Sequence, residues 1–542
     1  LIQWKWENFR EGKERIEINE KEKILSLVTL ALLGLGVSGC AVFKADAPRG
    51  EQQKTEETKK GEEDVTSSAS KKESGESAGA SEESTPYTDP SKLKSSYDVV
   101  IIGAGGAGMT AAIEAKDAGL NPVILEKMPI AGGNTSKSSS GMNASNTKFQ
   151  QGQGITDSND AFYEETLKGG HGTNDKEMLR YFVDHSADAI DWLDGIGIKL
   201  DNLTITGGMS VKRTHRPSDG SAIGGYLVKG LMENVAKRDI PIFVNTDVTK
   251  IHEKGGVVNG VTAQVQGEKA RTIKGKAVVV TTGGFGASKE LIEKYRPDLK
   301  NYVTTNQVGS TGDGIKMIEK LGGQTVDMDQ IQIHPTVQQD KGILIGEAVR
   351  GEGAILVNGE GNRFVNELDT RDKVSNAINE QSGKYAYLIF DQGVRSRATA
   401  IEFYAKQGYV TEGATIKELA EKIKVSASNL ENAVTSWNQA VASKQDTAFQ
   451  RTTGMDYPLD QTNYYAIKIA PGIHYTMGGV KINTKTEVIN TENQPITGLY
   501  AAGEVTGGLH GQNRIGGNSV AEIIIFGRQA GIQAAAYAKE QK

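Results

Sequence analysis

Hydrophobic positions along the chain fall into short runs separated by glycine-rich turns, and the clearest set begins at Tyr97. Tyr97–Ile102 (YDVVII) is almost continuously apolar, the pattern of a parallel strand covered on both faces. Ala107–Ala118 has helical spacing, and Pro122–Leu125 reads as a second strand. G-x-G-x-x-G joins strand to helix, with Gly103, Gly105 and Gly108 as its glycines, and Glu126 closes the second strand. Gly103 allows a tight turn, Gly105 lets a pyrophosphate approach backbone N–H groups, and Gly108 lets helix and strand pack closely. Glu126 can accept hydrogen bonds from ribose hydroxyls. In this order the elements predict a dinucleotide-binding βαβ unit, and the motif alone does not separate FAD from NAD. Further on, 415–443 places apolar residues at helical spacing in two stretches, predicting two amphipathic helices.

Upstream of Tyr97 the pattern changes twice. Residues 24–40 (ILSLVTLALLGLGVSGC) hold an apolar run of about 14 residues, a length that suits a signal-peptide core better than a membrane span. The run ends in VSGC, which resembles the bacterial lipobox. That resemblance implies acylation of Cys40, a mature chain starting there, and a lipid anchor on the extracytoplasmic face of the cell membrane. Leu1–Lys23 balances six basic against six acidic residues and the first Met is Met109, so this stretch is expected to be an over-extended start. Residues 41–96 contain almost no large apolar side chain. Too little surface can be buried there to offset ordering entropy, and the segment reads as a disordered linker.

Composition narrows the function classes. The formal net charge of −6 leaves no basic footprint for nucleic acid. The 65 glycines sit mostly in short turns, as close backbone approaches require, rather than in a fibrous repeat. Cys40 is the one cysteine, so no intramolecular disulfide can form. For the same reason the chain has no C-x-x-C-H haem attachment and no cysteine set for zinc or an iron–sulfur cluster, and no metal site is expected.

A resemblance extends this reading. GGNTSKSSSGMNAS follows the ribose acid, and VKRTHRPSDGSAIGGYLVKGL, VVVTTGGFGAS, GSTGDGIKMIEKLGG, IQIHPT, EAVRGEGAILVNGEGNRFVNE and HYTMGGV come later. GLYAAGEVTGGLHGQNRIGGNSVAEIIIFGRQAG closes the set. From Tyr97 onward the chain resembles the fumarate reductase and succinate dehydrogenase flavoprotein superfamily, and most of all its soluble flavocytochrome c type fumarate reductases. The resemblance implies an α/β fold with a Rossmann-like FAD-binding domain in two segments, 97–330 and 466–542. A capping domain of α+β type, 331–465, is inserted between them. The FAD contacts it implies are Gly103, Gly105, Ala107, Gly108, Glu126, Lys127, Gly133, Asn134, Thr135, Ser140, Gly141, Met142 and Asn143. Val248, Asp313, Tyr475, Glu504, Ser519 and Val520 complete them. No histidine lies between Lys127 and Gly170, where relatives attach FAD covalently, so the FAD is expected to be noncovalent.

The same resemblance gives the charged stretch from Glu347 to Asp372 a role. In the family a reduced flavin passes hydride to one carbon of an α,β-unsaturated acid, and an arginine protonates the other. Carried over, Arg371 is the proton donor, and Glu347 and Arg350 form its relay, with Glu347 also at the substrate. His474 and Arg514 hold one carboxylate, Gly517 offers backbone beside it, and His334 holds the far end. Arg363 reads as a packing or salt-bridge residue, and His215 and Arg216 as supports of the site. One departure bears on specificity: Gly346 stands where fumarate reductases of this type have threonine, whose hydroxyl helps bind the second carboxylate. Tyr475 also replaces a histidine of some relatives. Fumarate is therefore the first expectation for substrate, and methacrylate, acrylate, urocanate or cinnamate the alternatives.

The chain carries no haem segment and no D-G-x-T-G-A-T flavinylation motif, so electrons are expected from an external donor protein or a reduced small flavin, in extracytoplasmic anaerobic respiration. Rival readings are an oxidase or dehydrogenase on the same fold, and a non-catalytic flavin-binding lipoprotein that shuttles electrons.

Overall fold

The computed structural model describes Tyr87–Gln541. The signal segment 1–40 with Cys40, and 41–86 of the expected linker, lie outside the described residues. The last ten residues of that linker do not behave as a linker. Thr88 N donates to Ile242 O at 2.8 Å, the Tyr87 hydroxyl accepts from Ala131 N at 3.0 Å, and Leu93 is buried. A few hydrogen bonds to the sheet edge and two apolar side chains suffice to dock a stretch whose average composition is polar.

The first predicted elements form as read. Strand β1 (Ser96–Ile102), helix α1 (Gly106–Asp117) and strand β2 (Pro122–Leu125) are a parallel βαβ unit. They belong to an eight-stranded sheet. Its parallel centre runs Ile242–Phe243, β2, β1, Arg271–Val280, Pro495–Ala501. Val99–Ile101 and Val278–Val280 are fully buried, as strands covered on both faces must be. Antiparallel neighbours, Thr246–Lys254 and Val257–Val265, extend it on one side.

The inserted part has its own sheet of six strands and its own apolar core. Its long strands are β3 (Ile331–Gln338) and β4 (Tyr464–Thr476), paired antiparallel. Helices α2 (Ala348–Gly351) and α3 (Arg371–Asn379) flank it. The two amphipathic helices form at Ile416–Ile423 and Ala427–Ser443, burying Leu419, Leu430 and Trp437 against this second core. The return to the FAD-binding part, expected at 466, comes later. Ala466, Ile467 and Ile469 pack in the cap core, whereas Ile473, further along β4, packs in the main core. The reason is that β4 runs without a break from one core to the other, so the crossing lies inside a strand and leaves no loop to mark it.

The closing helix, α4 (Asn518–Glu540), packs along α1 and covers the parallel sheet. Its N-cap is Gly517 at φ +86°, a conformation that costs glycine little. The result is the α/β architecture expected, with the cap strands and the α4 N-terminus meeting over the mouth of the βαβ unit.

Candidate active site

A cavity of about 650 Å³ runs from β2 to the cap. Gly103 takes φ +104°, and a Cβ there would lie 2.5 Å from Thr281 O. A Cβ on Gly108 would collide with Gly103 O. Both glycines therefore serve the close packing that the motif predicts. Glu126 is fixed by Ala104 N and Met128 N, each at 2.8 Å. Lys127 Nζ lies 2.5 Å from Asp313 Oδ2 and 2.7 Å from Thr311 Oγ1. Every residue expected to contact FAD lines the cavity except Gly108, Met142 and Asn143. Met142 is in the main core, and Asn143 donates to Gly516 O and Asn518 Oδ1 at 2.6 and 2.7 Å. Asn143 thus braces the start of α4 from behind.

These residues fit FAD. A Cβ on Gly105 would find its nearest neighbour only at 3.9 Å, so backbone is open to a diphosphate at the start of α1. Glu126 stands at the ribose end, and Ser519 and Val520 bring the first turn of α4 to the other. Glu504 accepts from Asn134 Nδ2 at 3.0 Å and from Thr476 N at 3.1 Å. Burial nevertheless pushes its carboxyl up to about 7.

At the cap end, Arg371 opens α3 and is buried. Its Nε and Nη2 donate to Glu347 Oε2 at 3.2 and 3.0 Å. Its Nη1 donates to Gln332 Oε1 at 3.0 Å. The other Glu347 oxygen accepts from Gly207 N at 2.8 Å, which ties the cap to the FAD-binding part. Burial works against ionisation of Glu347, but Arg371 and Arg350 outweigh it and hold the carboxyl below the usual range. Arg514 Nη2 donates to the same Gln332 oxygen at 2.9 Å. Gln332 Nε2 donates in turn to Asn513 Oδ1 and Arg514 O at 2.8 and 2.7 Å.

Sequence reasoning did not single out Gln332. It sits in the quoted IQIHPT, two residues before His334, and the period of a strand could have flagged it. Arg350, expected next in the relay, donates Nη1 to Glu367 O at 2.5 Å, and its guanidinium makes no hydrogen bond to the Glu347 carboxylate. Its Nε and Nη2 are buried without a protein partner, and burial lowers it to about 10.

The two histidines meet edge to face, with ring centroids 5.2 Å apart. His334 Nδ1 accepts from Thr336 N at 3.2 Å, which puts the proton on Nε2, buried and without a partner. His474 Nδ1 pairs with Thr305 Oγ1 at 2.8 Å. Burial, with Arg371 nearby, keeps both rings neutral well below the usual histidine range. Arg371, His474, Arg514 and Gly517 line the cavity, while His334, Glu347 and Arg350 stand behind that lining.

Around Gly346 the structure supplies other hydroxyls. Gly346 N donates to the Tyr404 hydroxyl at 2.9 Å, and a Cβ at 346 would meet Ser139 Oγ at 3.0 Å. Tyr404 and Ser139 both line the cavity. Tyr404 lies far along the chain from Gly346, and nothing in its local sequence signals this. Arg363 bonds Glu367 and Asp446, and Arg451 bonds Glu367, so this buried ion group braces the cap. His215 contacts Thr147 Oγ1 at 2.8 Å, away from the cavity, and burial lowers it to about 4.

Comparison with known proteins places this arrangement. Residues 98–520 match the FAD binding domain family. The chain is 52% identical over 444 residues to the NADH:fumarate oxidoreductase of Klebsiella pneumoniae (strain 342), covering 82% of this chain and 48% of that protein. It thus spans about half the length of that relative. It is 44% identical over 444 residues to the fumarate reductase (cytochrome) of Shewanella frigidimarina, covering 82% of this chain and 78% of that one. A solved structure, the open conformation of a flavocytochrome c3 fumarate reductase, matches with a TM-score of 0.69 at 41% identity, over 83% of this chain and 79% of that chain. With its FAD-binding fold, the chain belongs to the fumarate reductase flavoprotein family.

Proposed function

We propose that the protein is an FAD-dependent reductase of an α,β-unsaturated carboxylic acid, with fumarate to succinate as the first reaction to test. The observation that carries this is the buried pair Arg371 and Arg514, bridged by Gln332 Oε1, with Glu347 held against Arg371. Bound in reduced form, FAD would supply the hydride. The chain's own groups do the rest. Arg514 and His474 grip one carboxylate, since a guanidinium fork matches a carboxylate and a neutral imidazole can donate without adding charge. The cations stabilise negative charge that develops on the carboxylate side of the double bond.

Arg371 gives a proton to the second carbon. Free arginine holds its proton above pH ~12. Glu347, which accepts from Arg371 Nε and Nη2, passes a replacement proton from the Arg350 side.

A second reading has its own observation. The Tyr404 and Ser139 hydroxyls, in place of a threonine at 346, suit a far end other than a carboxylate, as in methacrylate, acrylate, urocanate or cinnamate. A panel of these acids against the photoreduced holoprotein, scored by flavin reoxidation, separates the readings. Fumarate reoxidising fastest supports the first; no response to any acid would leave only an electron-shuttle role.

The proposal extends to place and partner. Acylation at Cys40 would hold the enzyme at the extracytoplasmic face of the membrane, fed by a donor protein or a reduced small flavin. Mass spectrometry of the mature N-terminus tests the anchor, and an unmodified Leu1 there would refute it.

A further inference from the structure

Beside Arg514 lies a buried group whose carboxylate, on Glu522, the reaction as proposed does not use. The Arg514 guanidinium sits over the face of the Tyr475 ring, 4.5 Å from its centroid. The Tyr475 hydroxyl donates to Glu522 Oε2. His510 Nε2 lies 3.1 Å from the same oxygen, and its ring meets the Tyr475 ring edge to face, with centroids 5.5 Å apart. Glu522 is in the second turn of α4, and Glu522, His510 and Tyr475 are all buried. A buried carboxylate is costly unless its oxygens are bonded and opposite charge is close. Here one oxygen takes two donors, and Arg514 provides the nearby positive charge.

From this geometry we infer that Glu522 is a positioning residue: through Tyr475 it fixes the plane of the Arg514 guanidinium and so sets how tightly the enzyme grips the substrate carboxylate. The steps are local. An ionised carboxylate only accepts, so both Tyr475 and His510 must point donors at it. That fixes the Tyr475 hydroxyl, and with it the tilt of the ring. The ring face then bears on Arg514 as a cation–π partner. Arg514 needs such support because its Nε has no protein partner. Its Nη1 goes to Ile515 O at 2.9 Å and its Nη2 to Gln332. The charged and titratable groups around Arg514 are Arg371 on α3, His474 and Tyr475 on β4, Glu504 and Glu522. Burial and Arg371 lower Arg514 to about 9, whereas Tyr475, Glu504 and Glu522 oppose that loss.

The inference rests on the reading of Arg514 as the carboxylate clamp, and the experiment separates the two. Holoenzyme variants Glu522→Gln, Glu522→Asp, Tyr475→Phe and Arg514→Met are compared with wild type for kcat and KM with fumarate, and for binding of malonate, a saturated dicarboxylate. FAD content and thermal midpoint are recorded for each. A clamp that acts equally on bound substrate and transition state appears in KM. Glu522→Gln is expected to raise KM and the malonate Kd about tenfold, with kcat within about threefold of wild type. Tyr475→Phe, which keeps the ring and loses the tie, is expected to shift KM in the same direction. Glu522→Asp is expected to recover part of the loss, which a purely structural role would not restore. Arg514→Met raising KM strongly while Glu522→Gln and Tyr475→Phe bind as wild type would overturn this inference alone. Wild-type binding in Arg514→Met would overturn both it and the clamp reading.

Discussion

Arg371 and Arg514 donate to one and the same acceptor, Gln332 Oε1, at 3.0 and 2.9 Å. One arginine opens a cap helix and the other precedes the closing helix of the FAD-binding part, so a single amide oxygen sets the distance between the proposed proton donor and the proposed carboxylate clamp across two cores. Two like charges held this close cost energy unless an acceptor or an anion lies between them. The resting protein uses Gln332 and Glu347; a bound dicarboxylate would add to that compensation.

Gln332→Leu tests the bridge. The substitution frees both guanidinium groups and leaves Asn513 Oδ1 and Arg514 O without the amide donor. Losing hydrogen bonds to charged groups at roughly 1.5–3 kcal/mol each, kcat/KM should fall about 10- to 100-fold while FAD stays bound. Steady-state kinetics with FAD stoichiometry checks this.

Gly346→Thr is expected to fail alone and improve in company. A Cβ at 346 comes to 3.0 Å from Ser139 Oγ, tighter than ordinary contact. Paired with Ser139→Gly, which removes both the Oγ at 3.0 Å and the Cβ at 3.2 Å, the new side chain gains room, and fumarate kcat/KM should rise about tenfold over Gly346→Thr by itself. Additive single effects in this cycle would show that the two positions do not share the space.

For Glu504 the pH dependence has a definite sign. Its carboxyl is raised from 4.5 to about 7 by burial, so the folded state holds the proton more tightly than the unfolded chain does. The stability it contributes is full below about pH 4.5 and is lost as pH rises through about 7. The range is about 3 kcal/mol at most. Glu504→Gln should therefore flatten the difference in unfolding midpoint between pH 5 and pH 8 in cofactor-free protein. An unchanged difference contradicts the assignment.

Arg451→Met probes the brace of the cap. Arg451 donates to Glu367 Oε2 at 3.1 Å, to Ala354 O at 3.0 Å and to Arg350 O at 2.7 Å, all buried. Breaking a buried ion group on one side costs roughly 3–5 kcal/mol. Denaturant unfolding should show a loss of that order, and a loss under about 1 kcal/mol would mean that the site relaxes freely.

The legible part of the molecule was the part whose backbone has few alternatives. The run Tyr97–Ile102, the glycines at 103 and 108 and the acid at 126 dictate β1, α1 and β2 because no bulkier residue fits the Thr281 and Gly103 carbonyls there. The cap helices at 416–423 and 427–443 were legible by period alone. The arginine and histidine roles came from motif resemblance, and charge pattern by itself did not separate Arg363, a brace, from Arg371, at the cavity. Tyr404 and Glu522 were not legible, since each acts on a partner brought near only by the tertiary fold, and for Gln332 the strand period marks the face but not the two arginines it bridges. The docking of Tyr87–Leu93 was hidden for another reason: two apolar side chains disappear in a polar average.

Delivery of the proton by Arg371, as proposed, has one direct test. The direct measurement is anaerobic reoxidation of the photoreduced flavin by fumarate in wild type and in Arg371→Lys, with FAD content and malonate binding measured on the same samples. General acid catalysis of this kind contributes about 10²–10⁴-fold. A loss of at least that order is expected in Arg371→Lys with FAD still bound. Reoxidation at the wild-type rate would contradict it.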